Sequence, residues 1–170
     1  TIMFLEIKNK IERELPRFLP TLDTPYPLRS ISPYLYHTIK EFITRDGKRV
    51  RPILMVIGYI GYANKPAPGL YTSALAIELL HDFMLIHDDI VDKSATRRGK
   101  PSMHTLLNAH LQKFPEAKFT GEDLGIVVGD VIYALAIHAF LKVRVAPKRK
   151  EAALKKLVEA ALYTGSGEFI

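Results

Sequence analysis

The sequence contains no cysteine. This absence excludes disulfide bonds and thiolate metal sites, and it is typical of proteins of the reducing cytoplasm. No secretory signal is visible at the N-terminus, which mixes acids and bases in an amphipathic pattern. Of the two longest apolar runs, 53–63 is too short to span a membrane, and 124–143 contains Asp130 and His138, which are costly in lipid. We therefore expect a cytoplasmic protein without an integral membrane segment.

The sequence also lacks an alternating strand pattern, a βαβ rhythm and an internal repeat. Its 170 residues suffice for one domain with a substantial core, and the apolar periodicity predicts an all-α fold. Ser32-Pro33 and Thr120–Asp123 are typical helix starts. Pro16 is expected to close the first helix, and Gly165–Gly167 to interrupt the last. The predicted helices cover about 2–15, 33–43, 53–62, 70–92, 102–112, 120–143 and 147–163.

The stretch 78–101 combines a mostly apolar helix, an acidic helix end and a basic loop. On a helical projection at about 100° per residue, six polar residues fall in a sector roughly 120° wide. A helix that is apolar on its other sides is usually buried, so this polar stripe is expected to line a wet space. The acids also lie at the unfavourable end of the helix dipole and require a cation nearby. The stripe consists of Glu78, His81, Asp82, Asp88, Asp89 and Asp92.

Asp88, Asp89 and Asp92 form a DDxxD motif. Asp88 and Asp92 are one helical turn apart, with Cβ atoms roughly 5–6 Å from each other. Two carboxylates at this spacing can bind Mg²⁺ ions that take their remaining ligands from water and a diphosphate. The alternative is an acidic helix end neutralised by neighbouring Lys and Arg. The position of the acids on the polar stripe favours the metal.

Two basic loops supply candidate phosphate ligands. The first is 47–52, GKRVRP, and the second is 97–101, RRGKP, which begins five residues after the last aspartate. Arginine offers fork-shaped donors that match phosphate oxygens. A solvated basic surface is the alternative for each loop taken alone, and a satisfied core residue is the alternative for His81. The formal charge of +6 favours anionic partners but does not by itself separate phosphate-binding enzymes from nucleic-acid-binding proteins.

Together these motifs resemble the trans-isoprenyl diphosphate synthase, or polyprenyl synthetase, family. The residues that carry the resemblance are GKRVRP at 47–52, ELLH at 78–81, DDIVD at 88–92 and RRGKP at 97–101, with weaker support from GDVIYALA at 129–136. The resemblance implies a helical bundle around a central cavity. It implies a Mg²⁺-dependent condensation of isopentenyl diphosphate with an allylic diphosphate, in a cytoplasmic homodimer. Nucleic acid is not an expected partner, because the bases sit in two phosphate-sized loops.

The resemblance also implies a role for each motif residue. Asp88 and Asp92 would bind Mg²⁺ with Asp89 in support, and Arg97 would bind the allylic diphosphate. Phe83 and Met84 would form a floor that limits the product to a C20 or C15 chain. The residues implied for isopentenyl diphosphate are Lys48, Arg51, His81 and Arg98.

The sequence departs from the family pattern because no second aspartate-rich motif follows the first. We therefore expect 1–170 to be the N-terminal portion of a single isoprenoid synthase domain, incomplete for catalysis on its own. A non-catalytic subunit or a truncated diphosphate-binding fragment is one alternative, although such a protein has no need of DDIVD and RRGKP. A terpene cyclase is another, although it does not need the isopentenyl diphosphate-binding turn at Lys48 and Arg51.

Overall fold

Eight α-helices make up most of residues 2–169, which the computed structural model describes. The prediction of an all-α protein is confirmed, and the only strands in this part of the chain form one short hairpin. The helices are α1 Ile2–Phe18, α2 Leu28–Ile31, α3 Pro33–Ile43, α4 Val50–Ala63, α5 Leu70–Val91, α6 Met103–Leu111, α7 Gly121–Phe140 and α8 Pro147–Gly167. A 3-10 turn, Leu19–Leu22, follows α1, and the strands are β1 Thr96–Arg97 and β2 Lys100–Pro101.

Both predicted helix starts are confirmed. The Ser32 hydroxyl accepts a hydrogen bond from the amide of Leu35 at 3.2 Å, and Pro33 opens α3. At the start of α7, the Thr120 hydroxyl accepts from the Asp123 amide, and the Asp123 carboxylate accepts from the Thr120 amide. This reciprocal capping box satisfies two amides that the first helical turn leaves unpaired.

Three expectations about the chain path are wrong. Helix α1 continues through Pro16 to Phe18, because the burial of Leu15, Phe18 and Leu19 offsets the lost backbone bond. Helix α8 continues through its glycines to Gly167, since a helical glycine costs only about 1 kcal/mol. The set of predicted elements is also incomplete, because it lacks the short helix α2 and the β1–β2 hairpin.

Helix α5 lies at the centre of the fold. It packs most extensively against α7 and also contacts α1, α3, α4 and α6. The crossing with α7 is close at Gly129, where a Cβ atom would lie only 2.3 Å from Nε2 of His87. Glycine at this position therefore lets the two helices approach, and their contact fixes the orientation of the polar face of α5.

Helix α7 is the one described helix that is long and apolar enough to cross a membrane by length and composition. Core helices of globular proteins meet the same test, and α7 is packed between α5 and α6. Helix α8 is different, because none of its described residues is buried. It leaves several large apolar side chains exposed, among them Leu162 and Tyr163.

Candidate active site

The six-residue polar stripe of α5 is divided lengthwise into a buried row and an outer row. Glu78, Asp82 and Asp89 are 3%, 3% and 0% exposed. The expectation that the whole stripe lines a wet space is wrong for Asp82 and Asp89, whereas Glu78 still contributes to the wall of a cavity. At about 100° per residue, the buried three lie at one edge of the sector and the other three at the opposite edge. The outer row consists of His81 and Asp88, which are half-buried, and Asp92, which is exposed.

Asp89 is occupied by a protein partner. Nε of Arg97 donates to Oδ1 and Oδ2 of Asp89 at 3.0 and 3.2 Å, and Nη2 of Arg97 also donates to Oδ1. This bidentate geometry is the strongest form of an arginine–carboxylate pair. It uses one edge of the guanidinium, so Nη1 is available for another anion. In this structure Asp89 orients Arg97.

Asp88 and Asp92 are in the opposite situation. The ion pairs found within residues 2–169 include neither of them. Burial, followed by the negative charges of Glu168 and Asp92, raises the pKa of Asp88. The pair therefore has no direct ion-pair partner within residues 2–169, and the charge of Arg97 compensates that of Asp88 only in part. Glu168, near the end of α8, is an addition to the acidic cluster that no sequence pattern indicated.

Magnesium fits this pair as an ion shared with a ligand. Within residues 2–169, no three His, Cys, Asp or Glu side chains are grouped closely enough to hold a metal by themselves. Two carboxylates are nevertheless a common protein contribution to Mg²⁺, which keeps several waters and takes further oxygens from phosphates. The incompletely compensated charge of Asp88 and Asp92 is consistent with such a site.

The four residues predicted to bind isopentenyl diphosphate surround one cavity of about 440 Å³. Arg98 is fixed there by a hydrogen bond of 3.1 Å from its Nη1 to the backbone oxygen of Asp46. Burial, followed by the positive charge of Arg51, lowers the pKa of His81. The four residues are Lys48, Arg51, His81 and Arg98.

Both basic loops adopt an unusual backbone conformation. Arg98 and Gly99 have φ values of 54° and 73°, as required by the tight type I′ turn that joins β1 and β2. Arg49, directly before α4, has a φ of 53°. Left-handed conformations cost energy for residues with a side chain, and they concentrate at functional sites. The strain at these positions indicates that the loops are held in place by the rest of the structure.

A smaller apolar cavity of about 230 Å³ adjoins the basic one, since Arg51 and His81 line both. Met84 also lines it, together with Leu157 and other small or apolar residues of α5 and α8. Phe83 does not line this cavity. Its ring packs 4.6 Å from that of His87 and 5.3 Å from that of Tyr133 (centroid distances), so the two predicted floor residues face different surroundings.

Asp130 and His87 form a further polar contact across the crossing of α5 and α7. Nε2 of His87 lies 4.0 Å from Oδ1 of Asp130 and 3.1 Å from the backbone oxygen of Ile126. Asp130 is largely exposed, so the cost of burying it, which its apolar neighbours in the sequence suggested, does not arise.

The helical bundle and these charged loops define an isoprenoid synthase-type all-α protein. The chain belongs to the polyprenyl synthetase family, whose model matches residues 32–170. It is 32% identical to a short chain isoprenyl diphosphate synthase of Methanocaldococcus jannaschii over 95% of the chain. It is 30% identical to the farnesyl diphosphate synthase of Geobacillus stearothermophilus over 92% of the chain.

Solved structures show the same relationship. The geranylgeranyl pyrophosphate synthetase from Pyrococcus horikoshii superposes with a TM-score of 0.71 at 25% identity, covering 98% of this chain and 45% of that one. The geranylgeranyl pyrophosphate synthase from Corynebacterium glutamicum, solved with isoprenyl diphosphate and magnesium, gives a TM-score of 0.68 at 25% identity, covering 80% and 41%. The chain spans 42% of the length of the Methanocaldococcus relative and 47% of the Geobacillus relative.

Proposed function

We propose that the protein carrying this chain is a prenyltransferase that condenses isopentenyl diphosphate with an allylic prenyl diphosphate to form a longer trans-prenyl diphosphate. The observation that supports this most directly is the convergence of Lys48, Arg51, His81 and Arg98 on one cavity. These residues come from three separate segments of the chain. An apolar cavity adjoins the basic one, as a substrate with a diphosphate head and a hydrocarbon tail requires.

The allylic diphosphate binds, in this proposal, between the acidic helix end and Arg97. Asp88 and Asp92 are the residues that would hold Mg²⁺, and Asp89 keeps the guanidinium of Arg97 turned towards the same place. Magnesium bound there would neutralise the charge that develops on the departing diphosphate. Arg97 contributes donors from its free edge to the same oxygens.

The isopentenyl diphosphate binds in the basic cavity. Lys48, Arg51 and Arg98 neutralise its diphosphate, and His81 donates a hydrogen bond to it. Fixing both substrates side by side places the double bond close to the allylic carbon. The allylic carbon–oxygen bond then breaks and releases pyrophosphate, the double bond of isopentenyl diphosphate supplies the electron pair of the new carbon–carbon bond, and the released pyrophosphate takes up the proton that is lost. The apolar walls keep water from the carbocation.

Several narrower features belong to the same proposal. The chain supplies the N-terminal portion of a single isoprenoid synthase domain, and the enzyme works in the cytoplasm as a homodimer. Exposed apolar side chains on α7, such as Ile126 and Val127, supply a surface for a second copy. The product is a C20 or C15 prenyl diphosphate. Size-exclusion chromatography with light scattering tests the dimer.

Incubation with Mg²⁺, labelled isopentenyl diphosphate and allylic primers tests the proposed activity. The complete gene product that carries this chain is expected to form labelled prenyl diphosphates longer than the primer. Asp88→Ala is expected to abolish Mg²⁺-dependent binding of an unreactive allylic diphosphate analogue. Absence of elongation by the wild-type protein would rule out a synthase. If Asp88→Ala binds the allylic diphosphate analogue as the wild type does, Asp88 has a structural role and does not bind the metal.

A diphosphate-binding protein without catalytic activity is the second candidate. It shares with the synthase the convergence of Lys48 and Arg51 on one basic cavity, which can bind a diphosphate without any reaction. The same binding measurements separate the two candidates. A non-catalytic protein binds isopentenyl diphosphate through Lys48 and Arg51 but releases no pyrophosphate in the presence of an allylic primer.

A further inference from the structure

Arg49 belongs to the basic turn between α3 and α4 and lines the same cavity as Lys48 and Arg51, but its side chain is almost entirely buried among protein partners. It is 2% exposed, whereas Lys48 and Arg51 on either side are exposed. A buried guanidinium is costly unless its donors are paired. The donors of Arg49 are paired with three different segments of the chain.

The partners of Arg49 tie the turn to α1 and α5. Nη1 of Arg49 donates to Oε1 of Glu78 on α5 at 2.7 Å, and Nε donates to Oε1 of Glu12 on α1 at 2.9 Å. Nη2 donates to the backbone oxygen of Arg45 at 2.5 Å, which closes the turn upon itself. One side chain therefore fixes the turn against two helices.

The turn also has little room to adjust around this contact. A Cβ atom on Gly47 would lie 3.1 Å from Nη1 of Arg49 and 3.1 Å from Nη1 of Arg98. Arg49 itself holds a left-handed backbone conformation, with φ 53° and ψ 28°, at the residue that precedes α4. Such a conformation persists only where the surrounding contacts stabilise it. The exposed side chains of Lys48 and Arg51 thus depend on a buried neighbour for their direction.

Helix α1 lies outside the region that matches the family model, which begins at residue 32. Its Glu12 nevertheless contacts Arg49, and the Glu12 side chain is 38% exposed while that of Arg49 is 1% exposed. Glu14, two residues further along α1, accepts a hydrogen bond from the hydroxyl of Thr72 at 2.6 Å. It makes no contact with Arg49, which makes it a matched control on the same helix.

We propose that Arg49, held by Glu12 and Glu78, is a positioning residue that aims Lys48 and Arg51 at isopentenyl diphosphate, and that α1 thereby contributes to the affinity of this site. The inference rests on the proposed function, because it takes the turn to be the isopentenyl diphosphate subsite. It assigns Arg49 no contact with substrate. Its effect is confined to one of the two diphosphates, because Arg97 and the aspartates at the other site are held separately.

Calorimetric titration of the complete gene product with two ligands tests the inference. For isopentenyl diphosphate, Glu12→Gln is expected to weaken binding about threefold to tenfold and Arg49→Lys about 10–100-fold, as is usual for residues that orient binding groups. Neither variant is expected to change the Mg²⁺-dependent affinity for an unreactive allylic diphosphate analogue by more than about twofold. Glu14→Gln is expected to leave both affinities unchanged.

The double variant Glu12→Gln/Arg49→Lys adds a second measurement. Because both changes break the same contact, their effects on isopentenyl diphosphate affinity are expected to be clearly less than multiplicative. Circular dichroism establishes that each variant folds. If Arg49→Lys does not fold, the partly exposed Glu12 still decides the outcome through Glu12→Gln.

Lys48→Ala separates failure of the inference from failure of the proposed function. If Lys48→Ala loses isopentenyl diphosphate binding while Glu12→Gln and Arg49→Lys keep it, the positioning role is wrong and the proposed function stands. If the variants weaken both ligands equally, the effect is a general loss of structure and the inference is overturned. If Lys48→Ala binds as well as the wild type, the turn is not the subsite, and both proposals fail.

Discussion

Replacing Asp89 with asparagine separates two functions that a DDxxD motif can combine. One is to orient an arginine, and the other is to bind a metal ion. Asp89 is fully buried and carries the bidentate contact with Arg97, whereas Asp92 is exposed and has no ion pair within residues 2–169. Asp89→Asn keeps the shape of the side chain. It removes the charge and replaces one acceptor oxygen with an NH2 group, so the ion pair is lost although Oδ1 can still accept from the guanidinium.

The expected loss of stability follows from burial. Removing one partner of a buried ion pair costs about 3–5 kcal/mol. The Arg97 side chain is 30% exposed and can recover part of its hydration, so we expect about 2 kcal/mol for Asp89→Asn. For a protein of this size, that corresponds to a melting temperature about 4–8 °C lower. Asp92→Asn is expected to change the stability by less than about 0.5 kcal/mol, since it removes an unpaired charge at a helix C-terminus.

Thermal and urea unfolding of both variants, without ligand, measure these effects. Titration with Mg²⁺ and an unreactive allylic diphosphate analogue supplies the second measurement. Asp92→Asn is expected to lose Mg²⁺-dependent binding while keeping its melting temperature, and Asp89→Asn to lose stability first. If Asp89→Asn melts with the wild type, or if Asp92→Asn is as destabilised as Asp89→Asn, the division of the motif into an orienting and a metal-binding carboxylate is wrong.

Three further changes test other parts of the structure. Burial, reinforced by the neighbouring Glu78 charge, raises the pKa of Asp82 well above its ordinary value of 3.8, so stability falls as the pH rises from about 4 towards the folded-state pKa. Asp82→Asn is expected to flatten this pH profile of the melting temperature, and a profile as steep as the wild type's would contradict it. Gly121→Ala places a Cβ atom 2.3 Å from a backbone oxygen of α6, whereas Gly125→Ala places one 2.9 Å from a flexible side-chain end. Unfolding measurements are expected to show a loss of about 1–3 kcal/mol for Gly121→Ala and a smaller one for Gly125→Ala; the reverse order would show that α6 and α7 pack differently. Met84→Ala is expected to lengthen the product more than Phe83→Ala does, because Met84 lines the apolar cavity and Phe83 does not. Products of equal length on chromatographic sizing would show that the two residues do not differ in limiting the chain.

Local signals in the sequence were sufficient to predict every helix except α2 and the capped starts of α3 and α7. The start of α3 at Ser32-Pro33 and the capping box at Thr120 depend on residues three or four positions apart. The order and spacing of the motifs were likewise sufficient to identify Lys48, Arg51, His81 and Arg98 as one set of candidate ligands. The structure places all four around one cavity. Their individual roles in binding remain predictions.

Features that depend on distant contacts could not be predicted. Arg49 looks like the other bases of its turn, and its burial depends on partners 29 and 37 residues away. Pro16 is a local signal for a helix end. The packing of its neighbours outweighs this signal, and the helix continues. The hairpin at 96–101 needs a left-handed Arg98, a conformation that residue type alone does not favour.

The two basic loops form a single assembly although residues 53–96 lie between them in the sequence. Arg98 donates to the backbone oxygen of Asp46 at 3.1 Å, and Arg45 donates to the backbone oxygen of Pro101 at 2.9 Å. Each loop is therefore fastened to the other by an arginine, one exposed and one buried. These two contacts hold the cations that face the cavity at a fixed spacing without a ligand. A diphosphate then meets charges that are already arranged, and little binding energy is spent on ordering long side chains.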